Sequence, residues 1–523
     1  MKKVIFILIA AIAFSANGQS NDKLWHHADL EDNGVPGISL KKAYDYLEGR
    51  PSKKVLVAII DSGYELDHEA FDGKLWVNDG EIAGNGKDDD GNGFVDDVNG
   101  WNFIGGSGGN ITNETLELTR EYRKLKPKYE NAKPSKSKEY KYWKKIEEDY
   151  LKESSEIFEV AEGFFERYNA VPYYYKLMSG YAEADTLTVE ALNQINSLDS
   201  VVIEADDYLT RIVGYIGGSG TLDQIMELFG GAYEYYDYQY NYAYNPEFDP
   251  RSKVGDDLSD LDEIGYGNKD IDVVDGYGGS HGTHVAGIVG GENYGVTPNV
   301  EFMFIRTVPS GDERDKDVAN SIIYAVDNGA KVINMSFGKE YSPDQGYVRD
   351  AVKYAEKKGV VMVHAAGNDG KNNDEKLSFP DGSISSKKKS ESWIEVGASS
   401  QSYDENLPAN FSNYGKKNVD LFAPGVGIIS SMPGNTYQPN SGTSMASPVV
   451  AGISALLLSY FPDLSAEDVK DILLKSVSKI DLEVIKPGSE EKVQFSELSK
   501  TGGIVNAFEA VKMADKRVKL SKN

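Results

Sequence analysis

The chain has 523 residues, 40% hydrophobic and 26% charged, with a net charge of −28 and a pI near 4.7. That acidity argues against nucleic acid and anionic membrane surfaces as partners, and the length suits one large domain carrying an insertion. Cysteine is absent, which excludes disulfides, a thiol nucleophile and a cysteine-borne lipid.

Residues 1–18 read as a signal peptide. Lys2 and Lys3 precede an apolar run, Val4 to Phe14, that is too short to span a bilayer, and Ala16-Asn17-Gly18 offers small residues for cleavage. An uncleaved anchor is the alternative. No later stretch reaches the length of a span, so the mature chain is expected to be exported, periplasmic or secreted, monomeric and without a transmembrane segment. Residues 19–50 form a short lead-in.

Val55-Leu56-Val57-Ala58-Ile59-Ile60 reads as a buried parallel strand. Asp61 stands at its carboxyl end, where open α/β sheets place ligands and catalytic groups; by pattern alone it could equally cap the next turn. In the following loop Asp88, Asp90 and Asn92 alternate, and Gly93 supplies a sharp turn. This is the opening of a calcium loop, with oxygen ligands converging on a hard cation. Position twelve is Asn99 and not glutamate, so it is not an EF-hand. The candidate ligands are Asp88, Asp90, Asn92, Phe94, Asp96 and Asp97, and a solvated acidic turn is the bland alternative.

Residues 105–254 change character. Roughly 20 of the 33 tyrosines fall between Tyr122 and Tyr266. Thr115 to Asn169 is helix-rich by composition and Thr186 to Leu209 reads as a further helix, so the stretch is expected to be a helical insert. Its tyrosines either form the insert's own core or present a surface for peptide or glycan. Beyond it the α/β alternation resumes. Strands are expected at Val300–Ile305, Lys331–Gly338 and Gly359–Ala365, and helices at Asp317–Asn328, Asp350–Lys358, Ser465–Val477 and Gly503–Asp515. The expected organisation is one α/β domain from 51–104 and 255–515, the insert, and a tail over 516–523. No internal repeat and no separate C-terminal domain is evident.

Ser444 lies in Asn440-Ser441-Gly442-Thr443-Ser444-Met445-Ala446-Ser447-Pro448, where small residues open a long apolar helix. A serine there feels a positive helix end that helps an anionic oxygen, and Pro448 sits early in the run, where a missing N–H costs least. A nucleophilic serine needs a base and the base an orienting group. Neutral histidine is the natural base, and His281 opens a helix in His281-Gly282-Thr283-His284-Val285-Ala286-Gly287. Asn368 ends the strand Gly359–Ala365 and its segment Ala365-Ala366-Gly367, with an amide able to donate to an oxyanion. Each string alone also has a structural reading: a helix N-cap, a packing histidine, a turn.

Taken together these segments resemble the subtilisin-like (S8) serine proteases, in the order Asp61, His281, Ser444. The resemblance implies a three-layer fold with a mostly parallel sheet, and a serine endopeptidase acting on protein or peptide substrates. It implies a triad of Asp61, His281 and Ser444, with Asn368 in the oxyanion hole and His284 as a packing residue. It further implies an S1 pocket walled by Ser336, Phe337 and Gly338 on one side and Ala365, Ala366 and Gly367 on the other. The first wall is the edge to which an extended peptide adds. Family members often carry calcium in a loop like that at Asp88–Asp97, and many carry a prodomain for which residues 19–50 leave no room. His364 departs from the small apolar residue expected there; strand alternation turns it away if Ala365 and Gly367 face the pocket. The rival reading is a non-catalytic peptide- or glycan-binding module on the same scaffold.

Overall fold

A run of β-branched residues has no polar face to offer water, so it is covered on both sides. Val55–Asp61 (β1) is such a strand: Val55, Val57 and Ile59 enter one core, Ala58 and Ile60 the other. The computed structural model describes residues 24–273 and 277–521, and the expected leader over 1–18 lies outside them. The described chain forms two compact units, one of residues 118–248 and one of the flanking segments up to 117 and from 249.

The second unit is built on β1 with Gly100–Asn102 (β2), Val300–Arg306 (β3), Val332–Met335 (β4), Val361–Ala365 (β5), Trp393–Ser399 (β6), Leu421–Pro424 (β7), Ser478–Lys479 (β8) and Gly503–Ile504 (β9). They form one nine-stranded sheet in the order β8-β9-β7-β6-β5-β4-β1-β3-β2. All neighbours are parallel except the β8–β9 edge. Helices cover both faces, as parallel strands require. On one face lie Leu40–Leu47 (α1), Tyr277–Gly290 (α2), Thr443–Tyr460 (α5), Ala466–Lys475 (α6) and Ala507–Ser521 (α7). On the other lie Asp315–Asp327 (α3) and Gln345–Lys357 (α4), with Phe94, Trp101 and Phe103. The architecture is the expected three-layer α/β fold.

The unit of residues 118–248 is helical, with Lys138–Ala182 as its longest element. Those 45 residues reach about 67 Å at 1.5 Å per residue. Its tyrosines serve partly as core: Tyr150, Tyr175 and Tyr236 are buried. Their hydroxyls need partners there, and Tyr150 donates to the Tyr244 carbonyl at 2.8 Å and Tyr175 to the Asp185 carbonyl at 2.6 Å. Tyr173, Tyr181 and Tyr235 are exposed. Residues 105–117 and 249–254, counted with the insert from sequence, belong to the sheet unit.

Three local expectations are corrected. The helix expected over Thr186–Leu209 is two helices, Val189–Leu192 and Ser200–Tyr215. The break follows from capping, since Asp199 accepts the Val201 N–H and starts the second helix afresh. Gly503 and Ile504 form strand β9 and not a helix start. Helix α5 is, by length and composition, apolar enough to cross a membrane, but 89% of it is buried within the unit.

Helix α2 approaches β1 closely. A Cβ on Gly282 would lie 2.3 Å from the Gly63 carbonyl oxygen and 2.8 Å from the Tyr64 ring. Gly282→Ala should therefore push α2 off the strand end, costing about 1–3 kcal/mol in urea unfolding. A variant as stable as the parent would mean that the helix accommodates the methyl group.

Candidate active site

Asp61 ends β1 and is buried. Its Oδ1 accepts from the Ser62 N–H at 2.8 Å and the Ser62 hydroxyl at 3.2 Å. Arg306, at the end of β3, donates to the Ser62 carbonyl at 2.8 Å and fixes the turn. His281, 220 positions along the chain, brings Nδ1 to 2.7 Å from Asp61 Oδ1. Burial opposes the imidazolium, but the Asp61 charge and hydrogen bond outweigh it, so the His281 pKa is raised above its ordinary value. His284, one turn on, is set otherwise. Burial lowers its pKa to about 4 against a hydrogen bond from its Nε2 to the Gln438 carbonyl at 3.0 Å. It is a neutral packing residue.

Ser444 is the second residue of α5. Its Oγ donates to the Ser336 carbonyl at 3.1 Å. Pro448 was expected where a missing N–H is harmless, yet it stands past the first turn, opposite the Ser444 carbonyl that its N–H would have bonded. That carbonyl accepts instead from Ser336 Oγ at 3.0 Å. Ser336 Oγ in turn lies 2.8 Å from Ser447 Oγ and 3.0 Å from Asn334 Nδ2. The side chain of Ser336, expected in a pocket wall, is thus committed to holding the start of α5.

Asn368 follows β5 and is exposed. Its Oδ1 accepts from the Thr443 N–H at 2.8 Å and hydroxyl at 3.1 Å, which fixes the amide orientation. Its Nδ2 lies 3.7 Å from where a Cβ on Gly442 would stand, facing the turn that carries Ser444. Gly367 has φ +107°, and a Cβ there would meet Asn413 Nδ2 at 2.4 Å, so only glycine suits the position. Asn413 braces the segment by donating to the Ala366 carbonyl at 3.0 Å and accepting from the Asp369 and Lys371 N–H groups. No spacing in the sequence marks it for this. Ala365 and Ala366 are buried, Phe337 is half-buried and Gly338 exposed. His364 is wholly buried; its Nδ1 lies 3.0 Å from Glu395, and its ring packs on Trp393 at 5.1 Å.

Of the candidate cation ligands, Asp90 and Asp97 converge, and Glu81 joins them, their oxygens all within 4.8 Å of one another. Asp88 instead accepts from the N–H groups of Gly91, Asn92 and Gly93, and Asp96 from those of Asn85 and Gly86 and from Lys269. Asn92 donates its amide to both Asp90 and Asp97, as does Asn78, and Asn92 Oδ1 is taken by the Phe94 N–H. Two amides thus hold Asp90 and Asp97 next to each other. Burial, reinforced by Asp90, pushes the Asp97 carboxyl up to about 6 despite hydrogen bonds from Tyr324, Asn78 and Asn92. An all-oxygen, carboxylate-rich donor set of this kind suits a hard cation. Glu81 carries no motif signal; only the fold of the loop brings it in.

A sequence profile described as the Subtilase family matches residues 52–503. A thermophilic serine proteinase of Bacillus sp. (strain AK1) is 41% identical over 222 residues, 41% of this chain and 49% of the relative. Subtilisin DY of Bacillus licheniformis is 37% identical over 210 residues, 39% of this chain and 72% of the relative. The match thus spans about half the length of the first of these and nearly three quarters of the second. A crystal structure of a cold adapted subtilisin-like serine proteinase is 32% identical, covering 41% of this chain and 73% of that one, at a TM-score of 0.35.

The Asp97 shift has a sign that can be tested with divalent ions chelated. Its folded pKa lies above its unfolded value of about 3.9, so the stability lost to its ionisation builds up between about pH 4 and about pH 6 and is constant above that. Asp97→Asn should therefore be more stable than the parent near about pH 7.5, with the difference closing as the pH falls from about 6 to about 4. A difference that stays constant over that range would contradict the assignment.

Proposed function

The chain belongs to the subtilase family of serine proteases, and we propose that it is an exported endopeptidase working through Asp61, His281, Ser444 and Asn368. The observation that carries the reading is the 2.7 Å contact between His281 Nδ1 and Asp61 Oδ1 at the carboxyl end of β1. With the Nδ1–H donating to Asp61, the unprotonated Nε2 of His281 is the proton acceptor. Turning about its Cα–Cβ bond, the Ser444 hydroxyl exchanges the Ser336 carbonyl for that nitrogen. Ser444 Oγ then attacks the scissile carbonyl as His281 takes its proton, and Asp61 stabilises the imidazolium. The oxyanion is held by Asn368 Nδ2 and by the Ser444 N–H, which lies in the first helical turn and has no intrahelical acceptor. His281 returns the proton to the leaving amine, and water repeats the sequence on the acyl-enzyme.

The substrate is an extended protein or peptide segment added to the edge at Ser336–Gly338, with Ala365, Ala366 and Gly367 as the facing wall. Export to the periplasm or beyond rests on Lys2, Lys3 and the apolar run behind them. Glu81, Asp90 and Asp97 would hold a calcium ion of the kind common in the family, which would stabilise the loop and take no part in the chemistry.

Ser444→Ala should abolish both casein cleavage and labelling by a fluorophosphonate probe while leaving the fold intact; equal labelling of the two proteins would sink the proposal. Because His281 must be neutral and its pKa is raised, kcat/KM should rise with pH through a midpoint above about 6.5. Asn368→Ala should lower kcat by about a hundredfold and leave KM within about threefold, the effect known for the matching donor of a family relative. A loss confined to KM would make Asn368 a substrate-positioning residue. Calcium should raise the melting temperature of the parent and not of Asp90→Ala/Asp97→Ala.

A further inference from the structure

We infer that Lys339 is a positioning residue that fixes the outer end of the substrate-binding edge, an inference that rests on the protease reading above. The residue follows Gly338 directly, and its side chain is 1% exposed. An ammonium that deep is costly unless all its donors are met. Here they are: Nζ lies 2.8 Å from Glu117 Oε2, 2.9 Å from Asp315 Oδ1 and 2.7 Å from the Glu313 carbonyl. Three donors meet three acceptors on two separate segments, the chain before the helical unit and the start of α3.

The backbone of Lys339 is fixed as well. Its N–H donates to the Phe379 carbonyl at 3.0 Å and its carbonyl accepts from the Phe379 N–H at 2.9 Å. Asp315 also accepts from Ser342 Oγ and from the Asp344 N–H, each at 2.8 Å, so one carboxylate gathers Lys339 and the turn beyond it. At the other end of the edge, Ser336 is tied to Ser447 and to the Ser444 carbonyl. Phe337 and Gly338 are therefore suspended between two anchored residues. Gly338 is exposed and brings the backbone freedom of glycine, so the edge keeps its extended geometry only while both anchors hold.

A peptide adding to this edge gains main-chain hydrogen bonds away from the reacting atoms. Those bonds are equally present in the ground and transition states, so loosening the edge acts on KM and spares kcat. Ser444, which reacts with a small phosphonate, is bonded to the edge at Ser336, the end away from Lys339, so loosening the Lys339 end spares that reaction.

The experiment uses protein titrated with a fluorophosphonate and two substrates, a peptide with four residues before the scissile bond and a single-residue ester. For Lys339→Met, KM on the peptide should rise about tenfold, with kcat, the ester KM and the labelling rate within about twofold of the parent. A purely structural lysine would lower the titrated fraction and leave KM per titrated site unchanged. Should Lys339→Met be insoluble, Glu117→Gln decides the matter: it keeps the hydrogen bond but drops one charge, and the peptide KM should rise about threefold. A peptide KM within about 1.5-fold of the parent in a soluble variant overturns the inference. A parent that neither labels nor cleaves would instead defeat the protease reading itself.

Discussion

The seating of α2 on the turn after β1 is the constraint from which the rest of the site follows. Gly282 lets the helix backbone reach the Gly63 carbonyl, and that approach brings His281 to a carboxylate 220 positions away in sequence. The Asp61 carboxylate is buried, and its Oδ1 is satisfied by Ser62 and His281. That contact raises the basicity of the imidazole. His284 is one turn away, where burial dominates, and its pKa is moved in the opposite direction. The same residue type on the same helix is therefore divided into two roles by its neighbours alone.

A second constraint acts at the start of α5. Pro448 removes one intrahelical hydrogen bond and leaves the Ser444 carbonyl in need of a donor. Ser336 Oγ supplies it, while the Ser336 carbonyl receives the Ser444 hydroxyl. Thr443 meanwhile donates to Asn368 through both its N–H and its hydroxyl. Two strand ends and one helix end are thereby joined by groups that must each find a partner. At the start of α5, the geometry follows from the satisfaction of these polar groups.

What can be read from the sequence follows from how local each determinant is. The fold class was legible because β-branched runs and apolar helices are local patterns, and β1 and α5 lie where those patterns put them. The break in the helix expected over Thr186–Leu209 was harder, because Asp199 caps only if the chain has already turned. Glu81 was not legible, since nothing near it in sequence announces that the loop will fold it against Asp90 and Asp97. Lys339 looked like any lysine after a strand; its partners Glu117 and Asp315 lie far away along the chain. The committed side chain of Ser336 was hidden for the same reason, because Pro448 leaves open a carbonyl whose donor comes from another strand.

The central claim is that Asp61 makes His281 the basic histidine of this protein. The most direct measurement is an NMR titration of the six histidines in the Ser444→Ala protein, which cannot digest itself. His281 should titrate above its ordinary value of about 6.5, and His284 should stay neutral down to about pH 4. Repeating the titration with Asp61→Asn added should bring His281 down. A His281 that titrates at or below its ordinary value with Asp61 in place, or one that ignores the loss of Asp61, would contradict the account.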